Sequence, residues 1–176
     1  MTIWLNFNSI KEKRLIENKI YINIIVNQEN FMSNYKTILL AIDFSNDAHA
    51  IADRAKQVAQ TNNSVTHIIH VTEPLNYLYS SENFIGFADL EEQLRSDARA
   101  QLQQFSEHYH IPPAQQHFEE GRAAREIHAV SEKINADLIV IGSHGHRGFA
   151  ALLGSTANSV LHSSKCDVLA VRVGKN

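Results

Sequence analysis

The chain has 176 residues, 44% of them hydrophobic and 20% charged, with a formal net charge of -3. That length suits one domain with a tail, and the mildly acidic balance, without a basic stripe or patch, argues against a nucleic-acid partner. The single cysteine, Cys166, allows no internal disulfide and suits a reducing compartment. No apolar run approaches the roughly 20 residues of a membrane span.

Residues 1–31 differ in texture from everything that follows. The stretch is crowded with Ile and Asn, lacks Gly, Ala and Pro, and carries no cap or turn signal. It is not a signal peptide, because the charged KEKR lies inside it and no small-residue cleavage site follows. We read it as an N-terminal extension outside the fold, with Met32 as the natural start. The competing reading is an added element in which KIYINIIV (19–26) pairs with a sheet edge.

From Met32 onward, strands and helices alternate. KTILLAID (36–43) is a short apolar run ending in Asp43, as expected of a strand buried on both faces. Ser45 is placed to cap a helix whose apolar face is Ala48, Ile51, Ala52, Ala55, Val58 and Ala59. Asn62-Asn63 ends it, and SVTHIIHV (64–71) is the second strand. A long connection (72–88), rich in aromatics, leads to a helix with Leu90, Leu94, Ala98, Leu102 and Phe105 inward, stopped by IPP at 111–113. AQQHFEE (114–120) is polar enough for an edge strand. Gly121 turns the chain into a third helix, with Ala123, Ile127, Val130 and Ile134 inside. ADLIVIG (136–142), a fourth helix over about 154–164, and CDVLAVRV (166–173) complete the domain. This alternation implies an open parallel α/β sheet with right-handed crossovers and helices on both faces. Cys166, just before an apolar run, reads as a structural thiol.

Ligands of such sheets bind outside the carboxyl ends of the strands, where the winding reverses. Asp43 and Gly142 would share that crevice if their strands are neighbours. The segment GSHGHRGFAALLGST (142–156) has glycines that let a ligand approach the main chain. Gly154-Ser155-Thr156 opens a helix whose free amides favour phosphate, and His144 and Arg147 add positive charge. The same loop also reads as a plain strand-to-helix turn with glycines for geometry alone. It matches neither a P-loop, a dinucleotide fingerprint nor a nucleophile elbow. His144-x-His146 lacks the further ligands that a structural metal site needs, so no metal site is expected from it.

YKTILLAIDFS, IIHV, ADLIVIGSHG, GSTANSVL and CDVLAVR together resemble the universal stress protein A family, over residues 32–174. The resemblance implies a universal stress protein domain at 32–176, with a five-stranded sheet in the order 3-2-1-4-5. That architecture is Rossmann-like, of the adenine nucleotide alpha-hydrolase-like type. It also implies a cytoplasmic, stress-induced homodimer, joined through its C-terminal strand, that is not an enzyme. ATP-binding members carry G-x2-G-x9-G-[ST]. Carried over, Asp43 and Val71 border the adenine and ribose. Gly142, His144 and Gly145 line the first part of the phosphate loop, and Gly154, Ser155 and Thr156 complete it, with Mg or Mn as the accompanying ion. One departure stands out: HRGFAALL puts eight residues between Gly145 and Gly154, where the family pattern has nine. Two other readings stay open. One is a dimeric interaction protein that binds no nucleotide; the other is a slow ATPase, or a self-phosphorylating protein accepting phosphate on Ser155 or Thr156. Against the enzyme, the loop offers no clear general base and no paired carboxylates.

Overall fold

The computed structural model describes residues 3–5, 14–16, 19–21, 35–73, 87–143 and 154–172. Its strands are β1 (Ile3–Leu5), β2 (Arg14–Ile16), β3 (Lys19–Tyr21), β4 (Thr37–Ile42), β5 (Val65–Thr72), β6 (Gln116–Glu120), β7 (Leu138–Gly142) and β8 (Asp167–Val171). The helices are α1 (Ala48–Asn62), α2 (Phe87–His108), α3 (Ala123–Lys133) and α4 (Ser155–Ser163), with a short 3-10 turn at Pro113–Gln115.

β4 to β8 form a parallel sheet in the order β6-β5-β4-β7-β8, which is 3-2-1-4-5 counted along the chain. β1 adds a sixth, antiparallel strand beside β8, with Trp4 opposite Leu169. The segment expected outside the fold therefore contributes three residues to that edge. β2 and β3 pair separately as a small antiparallel ribbon.

The period of two along each strand assigns residues to the two faces. Ile38, Leu40, Ile68, Leu138, Val140 and Leu169 pack under α1 and α2, with Ile51, Ala52, Ala55, Leu102 and Phe105. Leu39, Ala41, Ile69, Ile139, Ile141 and Val168 pack under α3 and α4, with Ile127, Val130, Val160 and Leu161. β4 and β7 are apolar on both faces because both faces are covered, as the unbroken runs in the sequence suggested. Burying a side chain such as Leu or Ile contributes about 1.5–3 kcal/mol each, so these two layers dominate stability.

Local signals at the element ends are mostly as read. Asn63 stops α1 in a left-handed conformation (φ 53, ψ 45), and its amide bonds to Ala59 O. Gly121 (φ 144) makes the turn after β6, and its amide donates to Thr72 O at 2.9 Å. Two expectations are corrected. Ser45 does not cap α1 with its side chain, because the helix starts at Ala48 after Asp47 and Ser45 supplies only a backbone carbonyl to Ala48 N at 2.9 Å. Leu90 and Leu94 are 45% and 47% exposed, so the inward face of α2 begins further along, at Leu102 and Phe105. The loop over 74–86, most of the long connection, lies outside the described residues, as do 144–153.

Candidate functional site

The crevice lies where the sheet changes winding direction. β4 pairs with β5 on one side and β7 on the other, with Ala41 opposite both Ile69 and Ile141. β4 ends at Ile42 and the chain turns through residues 43–47 into α1 on one face, while β7 ends at Gly142. The sequence argument required the strand that leads into Asp43 and the strand that ends at Gly142 to be neighbours, and β4 and β7 are paired.

The β4 lip is a tight turn. Asp43 is exposed, and its Oδ1 accepts the Ser45 amide at 3.1 Å. Phe44 has φ 52, a left-handed conformation that is sterically costly for a bulky residue. Its ring sits 4.2 Å from that of His70 and 6.2 Å, edge-on, from Phe105. Ser45 Oγ is buried, with no hydrogen-bond partner among the described residues.

His70 faces the α1/α2 layer beneath this lip. It is 9% exposed, and its Nδ1 lies 3.0 Å from Ile42 O. Burial lowers its pKa, partly countered by that hydrogen bond and by the Asp43 carboxylate. Val71 faces the other layer, half-buried against the apolar cluster under α3 and α4.

Across the crevice, the loop is closed at its base. Ser143, 5% exposed, donates its amide to Val171 O at 2.8 Å and accepts the Gly154 amide at 2.8 Å. The Gly154–Ser143 hydrogen bond thus brings the start of α4 to the end of β7, next to Gly142, while the Ser143–Val171 bond ties that end to β8. Gly154 precedes α4, its carbonyl accepts Asn158 N at 2.8 Å, and no side chain caps the helix. The amides of Ser155, Thr156 and Ala157 therefore have no partner within the helix. Ser155 is exposed and Thr156 half-buried.

Of the expected site residues, Asp43, Val71, Gly142, Gly154, Ser155 and Thr156 fall at the carboxyl ends of β4, β5 and β7 and the start of α4. His144 and Gly145 lie outside the described residues. Reading the sequence missed Phe44, His70 and Ser143. His70 looked like one of several scattered histidines, and no local pattern marks it, since only the fold puts it under the lip. No group of three or more His, Cys, Asp or Glu able to hold a metal occurs among the described residues. No helix among them is long and apolar enough to cross a membrane.

A parallel, doubly wound sheet with a loop-bounded crevice at its switch point defines the class of open α/β proteins that hold small ligands at strand carboxyl ends. Within that class the chain belongs to the universal stress protein family, whose model matches residues 34–172. It is 41% identical over 139 residues to universal stress protein A homolog 1 of Coxiella burnetii, covering 78% of this chain and 96% of that one. The fold is similar to that of the structurally characterised hypothetical protein MJ0577, with a TM-score of 0.65 at 23% identity, covering 81% of this chain and 99% of that one. It is also similar to a universal stress protein solved in complex with cAMP, with a TM-score of 0.56 at 24% identity, covering 78% and 97%. Membership in this family carries a role in the stress response.

Proposed function

We propose that the crevice binds ATP or a related adenine nucleotide, and that the protein is a cytoplasmic, dimeric stress protein in which this binding is regulatory rather than catalytic. The observation that carries the reading is the hydrogen bond from the Gly154 amide to Ser143 O, which holds the uncapped start of α4 beside Gly142, on the strand next to the one that ends before Asp43. Free amides at a helix start, reinforced by the helix dipole, stabilise phosphate oxygens. The hydroxyls of Ser155 and Thr156 are further donors. The Asp43 carboxylate suits ribose hydroxyls, and it is also the group at the lip that would assist a Mg or Mn ion carried with the phosphates. Val71, His144 and Gly145 complete the expected contact set. The relative solved with cAMP lends an adenine nucleotide to the comparison, as a second ligand to test.

Native mass spectrometry of the gently purified protein, followed by titration with ATP, ADP, AMP and cAMP, tests this. Binding in the micromolar to low-millimolar range is expected. A Gly154→Val variant should bind at least about tenfold more weakly, since a branched side chain would stand where phosphate meets the amides. Gly154 has φ -58, so the substitution introduces no left-handed strain. A protein indifferent to all four nucleotides would overturn the reading. It would leave the one-residue-shorter loop as a structural turn in a dimeric interaction protein.

A further inference from the structure

We infer that His70 is a positioning residue for the nucleotide crevice: its Nδ1–H and its ring together hold the Asp43–Phe44 lip in the shape that meets the ligand. The inference rests on the nucleotide reading above and deepens it. A carbonyl oxygen only accepts hydrogen bonds, so the 3.0 Å contact between His70 Nδ1 and Ile42 O makes Nδ1 the protonated nitrogen. Ile42 is the last residue of β4 and its carbonyl immediately precedes Asp43. The hydrogen bond therefore pins the peptide from which the lip departs.

The ring supplies the second hold. Phe44 would not remain in a left-handed conformation by its own preference, and such outliers persist only where the surroundings over-determine them. Here the surroundings are the His70 ring at 4.2 Å and the Phe105 ring at 6.2 Å. Phe118 of β6 backs His70 at 6.0 Å, and the Arg99 guanidinium lies 4.3 Å above the Phe118 ring. With Phe44 turned this way, Asp43 folds back onto the Ser45 amide and its carboxylate stays exposed at the crevice. Burial favours neutral imidazole, the form in which a single Nδ1–H tautomer can persist. His70 need not touch the ligand, since it acts through Ile42, Asp43 and Phe44.

The test combines nucleotide affinity with a tautomer measurement on the full chain. In His70→Asn the side-chain amide can occupy the position of Nδ1 and keep the donor, whereas in His70→Gln it is carried one atom further out. ATP affinity is expected to fall about tenfold or more in His70→Gln and to recover at least in part in His70→Asn. Phe44→Gly, which removes the backbone strain together with the ring contact, should also weaken binding. Nitrogen-15 NMR of the unsubstituted protein at neutral pH should show His70 protonated on Nδ1 with a bare Nε2, and this reading stands even if a variant fails to fold. Wild-type affinity in folded His70→Gln, or a protonated Nε2 with a bare Nδ1, would overturn this inference alone. No nucleotide binding by the unsubstituted protein would overturn the reading of the crevice and this inference with it.

Discussion

Cys166 shows how strongly surroundings govern a single side chain. Burial, then the Asp167 and Asp137 carboxylates, push its thiol up to about 11. The thiolate is the reactive form, so the native protein should hold about a hundredfold less of it at a given pH than an ordinary cysteine. Alkylation by iodoacetamide near neutral pH, followed by mass spectrometry, should be slower by about that factor until denaturant is added. Rapid native labelling would contradict the structural role. The neighbouring carboxylates have structural work of their own. Tyr35 donates its hydroxyl to Asp167 Oδ2 at 2.9 Å, and Asp137 Oδ2 accepts the amides of Lys36 and Thr37 at 2.7 and 2.9 Å. They join the amino ends of β4, β7 and β8, opposite the crevice.

At the level of elements, the β5–β6 edge carries an acid-sensitive pair. His67 Nδ1 and His117 Nε2 face each other at 3.0 Å, so one must donate and the other accept. Burial lowers the pKa of both, and His67 and Lys133 lower that of His117 further. His70 is lowered for the same first reason. All three bind protons less readily folded than unfolded. Below the ordinary histidine value of 6.5 the unfolded chain therefore takes up protons that the native state refuses. Stability is thus complete above that pH and falls as the pH drops toward the depressed native values. Urea unfolding should give a lower midpoint at about pH 5.5 than at about pH 7.5. His117→Gln should flatten the difference. Asp167, raised chiefly by burial, acts with the opposite sign, losing stability as pH rises through its native value. The same edge explains why α2 was only half legible. Its helical spacing predicts the helix correctly, yet Leu90 and Leu94 are exposed, because helical period alone does not say how far a helix rests on the sheet.

For the whole molecule, the outer edge of β8 is the surface on which assembly turns. An unpaired parallel-sheet edge offers free backbone groups to another strand. Here Ile3–Leu5 takes that place, with Ile3 opposite Ala170 and Leu5 opposite Val168. A dimer joined through β8 would need the same backbone groups, so the two pairings exclude each other. Trp4→Pro, which removes a backbone donor from β1, should raise the dimer fraction measured by light scattering at matched concentration. A fraction unchanged by that substitution would mean that the copies meet elsewhere or that β1 does not compete for the edge.

Much of this protein was determined by its sequence alone. Apolar runs such as ILLAI and LIVIG, separated by helices of clear period, leave few arrangements other than a covered parallel sheet. The motifs named the family and marked Asp43, Gly142 and Gly154, because turns and helix starts impose chemistry on adjacent residues. Tertiary structure decided what depends on distant segments meeting. It put β4 beside β7. It buried His70 under Phe44, and it let Ser143 tie Val171 and Gly154 together across a loop. No local pattern encodes such contacts, since each arises only when strands far apart in the chain take neighbouring places in the sheet.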